Sequence, residues 1–256
     1  MEIKSIIFDF GFTLFYFKDP SIEKYFNCFK EGLEKCVKLL KKSNILEGDT
    51  AGVKLINLFN KHRRLAFKQS IETKIEYPTV DIFKTVLKNL YEQNIIQDIS
   101  NLNEGEYKEL GDIYHSVEED MWTPFPVTEK TLKRLKNLED IKLAVLSNHP
   151  HHISIKRLLK KYDLLKYFDV LVTSAKFGKR KPHPEIFHHT LEKMGLSDAS
   201  TCMMCGDEYA DIIGGHRAGL KTILCQRLFK FPYEKEINLP VLLKINDISE
   251  IFNHLL

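Results

Sequence analysis

The chain opens on a short apolar run, Ile3 to Phe8, that stops at an acid, Asp9. A continuous apolar run without alternation predicts a strand buried on both faces, as in a parallel sheet. From Pro20 to Trp122 the texture changes. Ser21–Lys42, Thr50–Ser70, Thr79–Asn94 and Glu104–Trp122 carry apolar residues at three-to-four spacing with charges between them, the pattern of amphipathic helices. Thr123-Pro124-Phe125-Pro126 then predicts a break, because closely spaced prolines prevent helix continuation. After it the period alternates. Helices are predicted over Thr128–Leu138, His151–Tyr162, Pro184–Met194, Ala210–Ala218 and Ile248–Leu255. Strands are predicted over Lys142–Leu146, Val170–Thr173, Cys202–Cys205, Thr222–Cys225 and Val241–Lys244.

Strands alternating with helices imply crossover connections and a parallel sheet with helices on both faces. The first strand belongs by character with this later sheet, so the all-helical stretch reads as an insertion. The predicted fold is α/β: a Rossmann-like parallel sheet built from residues 1–17 and 124–256, with an all-helical domain inserted at 18–123. Such an insertion is expected over the C-terminal ends of the strands, where open α/β sheets bind ligands. Closing it would exclude water from a site there.

Composition narrows the function classes. The 256 residues carry 38 Lys+Arg against 35 Asp+Glu, a formal charge of +3, too mild to argue for nucleic acid. The run Lys61-His62-Arg63-Arg64 reads as a solvated helix face. No stretch approaches the ~18 apolar residues of a membrane span, and no signal-peptide pattern follows Met1-Glu2-Ile3-Lys4. Five cysteines at irregular spacing do not make a disulfide framework, so a reducing, cytoplasmic setting is expected. Cys202-Met203-Met204-Cys205 is a C-x-x-C inside a buried strand without a second pair to complete a zinc site, and predicts core cysteines.

The candidate chemistry lies at strand ends. Asp9 follows Ile6-Ile7-Phe8, and Ser147-Asn148 follows Leu143-Ala144-Val145-Leu146. Gly206-Asp207 follows Met203-Met204-Cys205, with Asp211 one helical turn on. Lys181 sits in the loop Gly178-Lys179-Arg180-Lys181-Pro182-His183-Pro184 before a helix. In a parallel sheet these ends share one edge, so groups far apart in sequence can meet there. Singly, each is ordinary turn or capping chemistry. Their joint order and placement at one edge are far more specific.

In this order the pieces resemble the haloacid dehalogenase-like hydrolase superfamily. Phe8-Asp9-Phe10-Gly11-Phe12-Thr13-Leu14 resembles its first motif and Leu146-Ser147-Asn148 its second. Lys181-Pro182-His183-Pro184-Glu185-Ile186-Phe187 resembles the third. Gly206-Asp207-Glu208-Tyr209-Ala210-Asp211-Ile212, followed by Gly214 and Ala218-Gly219-Leu220, resembles the fourth. The insertion resembles the family's helical caps of the first type in position and helical character.

The resemblance implies a hydrolase of small phosphorylated metabolites that requires Mg²⁺, with neither nucleic acid nor membrane as partner. It implies Asp9 as a nucleophile forming an aspartyl-phosphate. Mg²⁺ would be held by the Asp9 and Asp207 carboxylates and the backbone carbonyl of Gly11, with Asp211 ordering the ion's waters. Thr13, Ser147, Asn148 and Lys181 would grip phosphate, Lys181 also neutralising charge in the transition state.

The sequence departs from the family's phosphatases at one position. They carry a second aspartate two residues after the nucleophile, which protonates the leaving oxygen; here that residue is Gly11. Help of that kind is typically worth about 10²–10⁴ in rate. His149 and His183 are the nearest candidates in sequence for a replacement proton relay. Gly11→Asp is expected to raise turnover of alkyl phosphates if the missing acid limits the rate. Three readings follow: a phosphatase using another relay or a good leaving group, a phosphonoacetaldehyde hydrolase-like enzyme taking a lysine from the cap, and a phospho-ligand or protein-binding module with little turnover. Asp207 and Asp211 argue for a metal and against the metal-free haloacid dehalogenases.

Overall fold

A computed structural model describes residues 3–97, 99–100, 102–138, 141–226 and 235–255. The chain divides into two compact units, Met1–Pro20 with Trp122–Leu256, and Ser21–Met121.

The first unit is built on a six-stranded sheet: β1 (Ser5–Phe8), β4 (Lys142–Ser147), β5 (Val170–Thr173), β6 (Cys202–Gly206), β7 (Lys221–Cys225) and β8 (Leu243–Ile245). Its order is β5-β4-β1-β6-β7-β8 and every pairing is parallel. β1 lies at the centre, with Phe8 beside Val145 on one side and Cys205 on the other. All four β1 residues are buried, which accounts for its unbroken apolar run. Alternate strand residues face opposite ways. Ile7, Ala144, Leu146 and Met204 pack with Ile186, Phe187 and Leu191 of helix Pro184–Lys193. Cys202 and Cys205 are free and buried, as expected, and burial pushes the Cys205 thiol well above the usual cysteine range.

Two short strands went unforeseen. β2 (Phe15–Phe17) pairs antiparallel with β3 (Trp122–Pro124), Phe17 opposite Trp122. Trp122 therefore does not close the preceding helix, which ends at Met121. Pro124 is tolerated because a two-stranded ribbon leaves its missing N–H on an edge. The last predicted strand also lies two residues later at its start than expected, at Leu243–Ile245. The closing segment is a 3₁₀ turn, Ile248–Ile251, running into a short helix, Phe252–Leu255.

The second unit is all-helical: α1 (Ile22–Lys42), α2 (Gly48–Thr73), α3 (Thr79–Glu92) and α4 (Glu104–Met121). The Ser21 hydroxyl accepts from the Lys24 N–H at 3.1 Å and caps α1. Phe29, Leu33, Cys36, Leu40, Leu55, Phe59, Phe83, Leu87 and Tyr114 form the core. Within the basic run, Arg63 is not purely solvated. Its guanidinium lies 5.6 and 5.4 Å from the ring centres of Phe26 and Phe29, because the planar cation stacks well on aromatic faces. Among the described residues no helix is long and apolar enough to cross a membrane.

Candidate active site

In this sheet order the chain runs outward from β1 on both sides, so the C-terminal ends of β1, β4 and β6 lie together where connections diverge. That is where open α/β sheets bind ligands. Asp9 follows β1 and its N–H donates to Cys205 O at 2.9 Å. Ser147 is the last residue of β4 and is buried. Asp207 follows β6 directly.

Lys181 binds these ends together. It is 3% exposed, and its ammonium lies 2.5 Å from Asp9 Oδ1 and 2.6 Å from Asp211 Oδ1, and donates to Leu146 O at 2.8 Å. Asn148 fixes the lysine's backbone, its Oδ1 accepting from Lys181 N at 2.8 Å and its Nδ2 donating to Lys181 O at 3.0 Å. Asn148, expected in the phosphate grip, thus uses both ends of its amide to hold the Lys181 loop. Thr13, expected there too, is buried and donates its hydroxyl to Asp207 Oδ1 at 3.2 Å.

Asp211 lies in helix Tyr209–Arg217. Its Oδ2 accepts from the Glu208 N–H at 3.0 Å, half of a capping box that the sequence reading missed. The signal was present, since an acid at Glu208 stands three residues before Asp211. The cap and the Lys181 contact together hold the carboxylate over Gly206, where a Cβ would stand 2.3–2.4 Å from Asp211 side-chain atoms. Gly206→Ala is therefore expected to destabilise by about 1–3 kcal/mol and to weaken divalent-cation binding. Urea melts and Mg²⁺ titration check this, and an unchanged midpoint in both would show that Asp211 is not fixed as described.

One carboxylate oxygen from each of Asp9, Asp207 and Asp211 lies within 4.8 Å of the other two, and all three residues are buried. Three acids against one ammonium leave an excess of negative charge in a site of low dielectric, which costs free energy unless compensated. An all-oxygen donor set of this kind fits a hard divalent cation. The charges show the same tension. Burial, the largest influence on Asp9, pushes its carboxyl up to about 6, with Lys181 opposing and Asp211 adding to the rise. Burial pulls Lys181 down, but attraction to Asp211 and Asp9 outweighs it and holds the amine above the usual lysine range.

The two candidate relay histidines are engaged in local structure. His149 Nδ1 accepts from the His151 N–H at 3.1 Å, and His183 caps its helix by accepting from Glu185 N–H at 3.3 Å. Trp122 stands beside Gly11, the position of the missing aspartate: a Cβ there would meet the indole Cη2 at 3.1 Å. That neighbour could not be read from sequence, since the two residues are far apart along the chain.

A phosphoglycolate phosphatase from Aquifex aeolicus is 41% identical over 101 residues, covering 40% of this chain and 46% of that protein. The chain spans about half the length of the curated relatives it matches. A 2-haloacid dehalogenase structure from Pseudomonas syringae pv. Tomato aligns with TM-score 0.63 and 20% identity over 98% of this chain and 97% of that one. The HAD-hydrolase YfnB of Bacillus subtilis, bound to magnesium, aligns with TM-score 0.57 and 17% identity over 100% and 99% of the two chains. The profile of haloacid dehalogenase-like hydrolases matches residues 6–225. Because that match takes in both the core strands and the helical insertion between them, the chain belongs to the haloacid dehalogenase-like hydrolases.

Proposed function

We propose that the protein is a Mg²⁺-dependent phosphatase of small phosphorylated metabolites that works through an aspartyl-phosphate on Asp9. The observation that carries this reading is the buried Asp9–Lys181–Asp211 bridge beside Asp207 at the sheet's central strand ends. The phosphatase named among the relatives and the magnesium named with YfnB support it.

In this reading Asp9 attacks phosphorus, and Lys181 holds the nucleophile in line and balances charge on the phosphoryl oxygens. Ser147, at the end of β4, donates to one of those oxygens. Asn148 acts through Lys181 as a positioning residue. The Asp9 and Asp207 carboxylates and the Gly11 carbonyl are the groups that would hold Mg²⁺, with Asp211 behind them. A bound ion would supply charge neutralisation at the phosphoryl group.

An aryl phosphate is the fair first substrate, because its leaving group needs little protonation. Phosphate release is expected with Mg²⁺, to fall to background in EDTA, and to return when Mg²⁺ is restored. Equal rates with Mg²⁺ and with EDTA would remove the metal from the proposal.

A further inference from the structure

The position two residues after Asp9 carries no side chain and little room for one. Gly11 does not lie in the left-handed region of φ, so its backbone does not itself demand glycine. The obstacle is Trp122. A Cβ on residue 11 would lie 3.1 Å from the indole Cη2, with Cζ3 and Cζ2 at 3.6 and 3.8 Å. The indole is 7% exposed. Phe10, Phe12 and Phe17 pack around it edge-on, at centroid distances of 5.9, 5.3 and 5.1 Å. Its backbone is fixed opposite Phe17, and its carbonyl accepts from the Tyr162 hydroxyl at 3.1 Å. An apolar C–H edge therefore stands where an acid side chain at residue 11 would begin.

Among the described residues, the titratable groups clustered with Asp9 are engaged. Lys181 bridges Asp9 and Asp211, Asp211 caps a helix, and Asp207 accepts the Thr13 hydroxyl.

We propose that Gly11 and Trp122 confine this site to phosphoryl donors whose leaving groups depart without a proton, which among metabolites are the phosphoric anhydrides, mixed (acyl phosphate) or symmetric (diphosphate). The inference rests on Asp9 as the nucleophile, as argued above. The Asp9 carboxylate oxygen bonds to phosphorus. The bond from phosphorus to the bridging oxygen breaks, and its electron pair leaves on a carboxylate or phosphate that is stable as the anion. Water then bonds to phosphorus, the Asp9 oxygen takes back its electron pair, and the water proton passes to solvent. An alkyl phosphate fails at the first step, because an alkoxide leaving without a proton is far too basic.

The test compares kcat/KM for acetyl phosphate, inorganic pyrophosphate, 4-nitrophenyl phosphate and glycerol phosphate, each corrected for the rate with Asp9→Asn. This ratio reports formation of the phosphoenzyme and not its hydrolysis, which all donors share. At least one anhydride is expected to exceed glycerol phosphate by about 10² or more, the rate a positioned acid typically supplies. The two anhydride arms show which kind is preferred. Glycerol phosphate within about tenfold of the better anhydride would overturn the inference while leaving the phosphatase reading intact, since it would require a proton donor from elsewhere. Loss of Asp9-dependent turnover with every donor would overturn both.

Discussion

Asp9→Asn is expected to abolish turnover and, in the metal-free protein, to raise stability. Turnover goes because an amide is not a nucleophile here; losses on removing a nucleophile reach about 10⁴–10⁶-fold in comparable cases. Stability moves the other way because the folded protein disfavours the ionised form of Asp9. Its carboxyl rises from 3.8 to about 6 on folding. The native state therefore binds more protons than the unfolded chain between those values, and stability falls as pH rises through that window. The penalty is absent below about pH 4 and complete above about pH 6, where a shift of this size corresponds to roughly 3 kcal/mol. Asparagine is the neutral isostere and does not suffer it. In EDTA near pH 8, Asp9→Asn should melt higher than the parent, and the gap should close as the pH approaches about 4. With saturating Mg²⁺ the order should narrow or reverse, because a cation stabilises the state that binds it. A variant less stable than the parent in EDTA at every pH would show that the site does not resist the Asp9 charge.

Much of the core was legible in the sequence, for a physical reason. Strands buried on both faces of a parallel sheet must be nearly all apolar, so Ile6-Ile7-Phe8 and Leu143-Ala144-Val145-Leu146 announce themselves, and the polar residues that end them stand out. Asp9, Ser147 and Asp207 were singled out that way, and Asp211 and Lys181 by the motifs that resemble the family's. What escaped was short or non-local. β2 and β3 have three residues each, too few for a period, and Pro124 argues against a strand. Trp122 looked like the end of a helix because its apolar spacing continues that of α4. Thr13 and Asn148 were assigned to phosphate by resemblance, whereas the structure engages their side chains with Asp207 and the Lys181 backbone. The expectation that Gly11→Asp restores a proton donor meets a neighbour that was equally non-local in sequence. With the indole 3.1 Å from the new Cβ, Trp122 must give by a few tenths of an ångström to admit the side chain, so pairing the substitution with Trp122→Leu is the informative form.

Lys181→Met is expected to be the most destabilising substitution in the site without Mg²⁺, and the one most relieved by adding it. Methionine keeps the length and apolar stem of lysine while removing the charge, so packing is largely preserved. What remains is three buried carboxylates within 4.8 Å of one another, with no ammonium between Asp9 and Asp211. Removing one partner of a buried ionic network typically costs about 3–5 kcal/mol, and here the Leu146 carbonyl also loses a donor. Part of that cost can be avoided by protonating Asp9, whose carboxyl is already raised to about 6, so the deficit in EDTA should be largest at high pH and shrink as Asp9 takes up its proton. Mg²⁺ supplies the missing positive charge directly, so its stabilising increment should be larger for Lys181→Met than for the parent. Activity should nevertheless stay low in saturating Mg²⁺, because the ammonium proposed to balance charge on the phosphoryl oxygens is gone. Adding Asp9→Asn to Lys181→Met should recover stability in EDTA, since it removes one of the charges left unbalanced, and the pair should be strongly non-additive as residues in one network are. Urea melts of the four proteins with and without Mg²⁺ measure this. Additive effects, with Lys181→Met as stable as the parent in EDTA, would mean that the lysine does not hold these carboxylates together.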